Sequence, residues 1–179
     1  MRQLALMAAS IVALMGCMAT SSWQQPKHIV KSVHALQSWT VTGVVAAKDP
    51  AHTFSATLYW QQLDQQNYII RLFGPLGSSS VIIQKHNGVV QYQNGKQQQR
   101  LNNHALPIDA LFYWMRGLPA PGTNVTHYDH DHKLIVLKQG IYVIYYEKYM
   151  RVNGLNLPAY IRVVTQDSML KLVIKQWRF

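Results

Sequence analysis

The chain has one cysteine, Cys17, among 179 residues, only seven acids against seventeen Lys and Arg, and no glycine-rich phosphate loop. A lone cysteine has no partner for an internal disulfide and no companion thiol for a metal site. Seven scattered acids give no carboxylate pair for acid–base work. The serines of Gly77-Ser78-Ser79-Ser80 lack nucleophile-elbow spacing, so Ser78 to Ser80 read as the start of a strand. Without a phosphate loop nothing couples to a nucleotide. No catalytic residue, no cofactor and no enzyme are expected. Charged residues make up only 13% and hydrophobic ones 49%, which excludes a disordered chain and leaves more apolar material than an ordinary core requires. The formal charge of +10 favours anionic surfaces. Its cations stand singly among strand-like segments, a pattern that argues against nucleic acid.

A long hydrophobic run is also missing. Leu4 to Met15 is apolar for twelve residues, against the roughly 20 that a spanning helix needs. Arg2 precedes the run, Gly16-Cys17 ends it, and Thr20, Ser21 and Ser22 begin a polar stretch. This is the layout of a cleavable signal peptide, residues 1–16, ending at the lipobox Leu14-Met15-Gly16-Cys17. Cys17 is then the lipid-attachment residue, 17–27 the acylated cysteine and its tether, and 28–179 a single domain. Removing the leader takes away one Arg and no acid. Several acyl chains, at about 0.8 kcal/mol per buried CH₂, would hold the domain permanently. Residue 18 is Met rather than the Asp that signals inner-membrane retention, so the expected address is the outer membrane of a Gram-negative bacterium, facing the periplasm.

What is abundant is strand texture. Ile29, Val33 and Leu36 have helical spacing and suggest a short first helix. Beyond it, β-branched and aromatic runs separated by turn residues predict antiparallel strands at Trp39–Ala47, Phe54–Trp60, Tyr68–Phe73, Ser80–Lys85 and Val89–Gln93. A second series covers Lys133–Lys138, Ile141–Tyr149, Tyr160–Thr165 and Met169–Trp177. Asn87-Gly88, Asn94-Gly95 and Asn153-Gly154 are hairpin signals. Between the series, Pro107 opens and Gly117 closes a helix over Ile108–Arg116 that carries Leu111, Phe112, Trp114 and Met115. The fold expected is mainly β with a few helices: an open, incomplete antiparallel barrel whose concave face is covered by helices.

Two features invite chemistry. His127-Tyr128-Asp129-His130-Asp131-His132 gathers potential metal ligands, but six residues between two strands make a polar turn, and no metal site is assigned there. Aromatics recur in almost every element, including Trp39, Trp60, Tyr68, Trp114, Tyr142, Tyr146 and Trp177. They either line an apolar pocket or fill a barrel core, and residue types alone leave both open.

Gly74-Pro75-Leu76-Gly77 between two strands, Tyr113-Trp114-Met115-Arg116-Gly117-Leu118-Pro119, and Leu157-Pro158 ahead of closing strands that end in Trp177, all behind a lipobox, resemble the LolB family over nearly the whole chain. The resemblance implies an outer-membrane lipoprotein with a LolA/LolB-like open barrel over a hydrophobic cavity. It would accept cargo lipoproteins from the periplasmic carrier LolA and insert them into outer-membrane lipid. It implies a membrane-insertion loop of Pro75, Leu76 and Gly77 with Leu76 exposed, and an acyl-chain cavity lined by Trp60, Trp114, Tyr142 and Trp177, with Tyr142 replacing a frequent tryptophan. A monomer is expected, since such a receptor needs its rim free. The alternative is a lipid- or small-molecule-binding lipoprotein with no carrier.

Overall fold

Alternation sets the architecture. In the first strand, β1 (Trp39–Lys48), Trp39, Val41 and Val45 are buried while Thr40, Thr42 and Val44 are only partly covered, the period-two pattern of a sheet with one face in the core. The computed structural model describes residues 30–74, 80–95, 97–100 (backbone only) and 107–179. Ten further strands follow: β2 (Thr53–Gln62), β3 (Tyr68–Phe73), β4 (Ser80–His86), β5 (Val89–Asn94), β6 (Gln97–Arg100), β7 (Val125–Tyr128), β8 (Leu134–Gln139), β9 (Tyr142–Val152), β10 (Leu155–Val164) and β11 (Met169–Arg178). All pair antiparallel in one sheet of order β6-β5-β4-β3-β2-β1-β11-β10-β9-β8-β7. The edges β6 and β7 do not pair with each other, so the sheet stays an open half-barrel, as expected.

The seam between the two strand series is β1 against β11, and it is irregular. A bulge at Thr42/Gly43 lets Trp177 face inward opposite Val41. Gly43 is required there, since a Cβ would lie 2.1 Å from the Val173 carbonyl oxygen. Asn87-Gly88 and Asn153-Gly154 take positive φ at both residues, the two-residue hairpin the sequence signalled. β10 begins earlier than expected and runs through Pro158, which its register shift beside Tyr160 accommodates. Two short strands, β6 and β7, escaped the sequence reading. β6 is Gln-Gln-Gln-Arg and β7, Val-Thr-His-Tyr, is mostly exposed, so neither shows the apolar alternation that marks a strand.

One helix, α1 (Ile108–Trp114), lies over the concave face and buries Ile108, Leu111, Phe112 and Trp114, with Met115 just beyond. It ends where Gly117 turns left-handed, with Gly117 N–H donating to Trp114 O and Leu118 N–H to Tyr113 O, a Schellman closure. The expected first helix is a single 3-10 turn, Val33–Ala35, capped by Ser32; Ile29 lies outside the described residues. No described helix is long and apolar enough to cross a membrane.

Candidate functional site

The half-barrel has two unlike ends. At one, where β1 starts and β2 ends, Trp39 packs between Trp60 and Trp177 at centroid distances of 5.2 and 5.1 Å, and Tyr68 stands edge-on to Trp60 at 6.2 Å. Buried indole groups need acceptors. Trp60 donates to Gln62 Oε1 at 2.8 Å and Trp177 to the Pro158 carbonyl at 3.0 Å. This end is filled. Arg116 is buried above it, stacked 4.0 Å over Phe112 and donating to the carbonyls of Phe112 and Leu36. Burial draws its guanidinium down to about 10, so it stays charged at neutral pH. Through it the helix is tied to the segment that leads into β1.

At the other end the concave face is not filled. A groove of about 380 Å³ opens between the start of α1 and the ends of β1, β2, β9, β10 and β11. Phe54, Leu111, Tyr142, Val163, Met169 and Leu170 supply its apolar wall, with Lys48, Asp49 and His52 at the mouth. Its size falls in the range of small-ligand sites. A larger hollow of about 510 Å³ lies at the tryptophan end, beside the β2–β3 and β4–β5 turns, where Leu63, Tyr68, Ile69 and Val89 alternate with Asn67, Gln84, Lys85, His86, Asn87 and Gln91; neither α1 nor Tyr142 lines it.

Of the four residues expected around a cavity, the structure sets Trp60 and Trp177 in the filled tryptophan cluster and pairs Trp114 with Tyr142 at 5.2 Å. Tyr142 alone of the four borders the groove. Trp114 donates to Gln139 Oε1 at 2.9 Å, and the same Gln139 amide binds both backbone groups of Ala120, pinning the end of the helix to β8. On the other flank Lys85 Nζ meets both Asp109 oxygens at 2.9 Å, and Gln65 donates to the Tyr113 hydroxyl. The sequence reading missed Gln139, Lys85 and Asp109. Asp109 had an available signal, since an acid in the first turn after Pro107 suits a helix start.

Among the described residues three buried donors have no acceptor: Trp39 Nε1, Tyr68 Oη and Tyr146 Oη. Burial first, then Asp109, raises the Tyr68 hydroxyl far above its ordinary value, and burial does the same for Tyr146, so both keep their protons. A buried donor left without a partner costs about 1–3 kcal/mol.

The remaining expectations separate. Cys17, Pro75, Leu76 and Gly77 lie outside the described residues; the flanks Phe73 and Ser80 pair at the groove end. His127 and Tyr128 belong to β7, and Asp129 spends its Oδ1 on the backbone N–H groups of Asp131 and Lys133, which holds its carboxyl below the usual range. Among the described residues no three potential ligands gather for a metal.

An unclosed antiparallel half-barrel whose apolar concave face is stoppered by one helix defines a class, and solved structures share it. A LolA superfamily protein from Nitrosomonas europaea superposes with a TM-score of 0.55 at 10% identity, covering 80% of this chain and 86% of that one. A DUF1329 family protein from Desulfovibrio piger gives 0.52 at 8%, covering 80% and 85%. Sequence narrows the class. The family model "Outer membrane lipoprotein LolB" matches residues 37–177, and the chain belongs to the LolB family. It is 33% identical over 171 residues to the outer-membrane lipoprotein LolB of Pseudomonas syringae pv. syringae, covering 88% of this chain and 81% of that protein. To the same-named protein of Pseudomonas paraeruginosa it is 32% identical over 203 residues, covering 99% and 97%.

Proposed function

We propose that the chain, anchored in the outer membrane through acylated Cys17 and facing the periplasm, accepts lipoproteins from the carrier LolA and inserts them into the membrane without nucleotide hydrolysis. It acts as a monomer and is not an enzyme. The observation that carries this reading is the groove of about 380 Å³, apolar along its wall and open at the end where β3 and β4 flank the segment containing Pro75, Leu76 and Gly77. Acyl chains enter beside Tyr142, and α1, carrying Trp114, swings away from Trp60 and Trp177 as the cavity widens. The three unsatisfied donors favour that opening, because the closed core does not satisfy its own polar atoms. The transfer runs downhill because the acyl chains are held better here than in the carrier and better still in the bilayer, never passing through water at about 0.8 kcal/mol per exposed CH₂. Leu76 touches the bilayer at the last step.

The test is transfer of a purified lipoprotein from its LolA complex into liposomes, comparing the Cys17→Ala chain with one that also carries Leu76→Glu. Cargo accepted by both and delivered only by the first supports the reading. Acceptance by neither, with free fatty acid still bound, points instead to a lipid-binding lipoprotein without a carrier.

A further inference from the structure

Ile141 is 73% exposed, more than any other large apolar side chain among the described residues. It occupies the two-residue turn Gly140-Ile141 between β8 and β9, where hairpins ordinarily place Gly, Asn or Asp. One exposed isoleucine means little by itself. This one adjoins Tyr142 at the groove mouth, and Phe54 and Phe73, also exposed, stand on β2 and β3 at the same end. At the opposite end Asp64, Asn67, Asn87, Asp129, His130, Asp131 and Asn153 surround the exposed Leu63 and Tyr128, and no described turn there carries an apolar side chain as open as Ile141.

We infer that the Gly140-Ile141 turn is a second membrane contact, which with Phe54 and Phe73 seats the groove mouth on the lipid surface. The inference rests on the insertion reading above. Ile141, Phe54 and Phe73 stand on separate elements, and a bilayer accepts each apolar tip independently. Lys48 and Lys138 lie behind the tips at the strand ends, placed to reach phosphate groups while their stems stay apolar. Asp49, the acid nearest Lys48, is held by the N–H groups of Ala51 and His52 in its own turn; Asp167 is the other acid at this end. The anchor also reaches. The chain enters β1 at the filled end, and thirteen residue steps from Cys17 to Val30 span at most roughly 45 Å. The ten residues of β1 rise roughly 33 Å, so a Cys17 embedded in the bilayer permits the groove end to face it.

The test uses the absence of any other thiol. In the full chain with Cys17→Ala, single cysteines at Ile141, at Leu76 and at Leu63 of the filled end are labelled with an environment-sensitive fluorophore. Each is mixed with vesicles of phosphatidylethanolamine and a minor share of phosphatidylglycerol. A blue shift at 141 and 76 but not at 63 is expected, and Ile141→Glu then lowers cargo delivery roughly ten-fold while acceptance from the carrier holds. A shift at 76 with none at 141 overturns this inference and leaves the insertion reading standing. No shift at either position removes both. A label at 141 that responds to the carrier alone and not to vesicles makes this turn a protein contact, and the inference fails.

Discussion

The two ends of the half-barrel are made from the same strands, yet beneath the helix one is packed with interlocking rings and the other is not. At the filled end Trp39, Trp60 and Trp177 interlock, with Arg116 stacked above them. At the groove end a half-buried Tyr142 faces Phe54 across open space. Large rings that touch on every side set the stability of a core, while rings that border a void can change partners at small cost. The contrast assigns stability to one end and ligand entry to the other.

The strongest way to break that comparison is to truncate a ring at each end. Trp39→Ala is expected to cost about 3–5 kcal/mol, the usual range for a fully buried aromatic, read as a lowered denaturant midpoint. Tyr142→Ala should cost about 1 kcal/mol and slow cargo acceptance instead. Equal losses of stability at the two positions would end the distinction.

A smaller effect tests the latch between helix and sheet. The Lys85 side chain is almost fully buried, whereas Asp109 is half-exposed. Removing the acid therefore strands a buried cation, while removing the lysine leaves an acid in water. Asp109→Asn should destabilise by about 1–3 kcal/mol and Lys85→Met by less, measured by urea unfolding at neutral pH. The reverse order would mean that the ammonium reaches solvent readily.

The smallest effect has the opposite sign. Tyr68→Phe and Tyr146→Phe delete hydroxyls that have no partner, so each should raise the unfolding free energy by about 1 kcal/mol. A more stable closed state opens less often, and acceptance should slow in proportion. Faster or unchanged acceptance in a stabilised double variant would detach these hydroxyls from opening.

Much of this was legible beforehand because strand and turn signals are local. The β3 limits, the Asn-Gly hairpins at 87–88 and 153–154, and the helix from Pro107 to Gly117 follow from alternation and from residues that tolerate one backbone geometry. The aromatic inventory was legible too, but its arrangement was not. Trp39 was one ring among many, and only the bulge at Gly43 turns Trp177 toward it. Gln139 gave no signal, since a glutamine at a strand end looks like any polar turn residue until Trp114 arrives beside it.

By itself the sequence determined the strand-rich texture, the Asn-Gly turns and the resemblance to the LolB family, because each depends on residue type and short spacing. Tertiary structure alone decided that Trp60 and Trp177 close one end while Tyr142 borders a groove at the other, and that Ile141 stands out beside the mouth. Those facts depend on register and on a bulge between β1 and β11, strands more than a hundred residues apart, and no local pattern encodes a long-range offset.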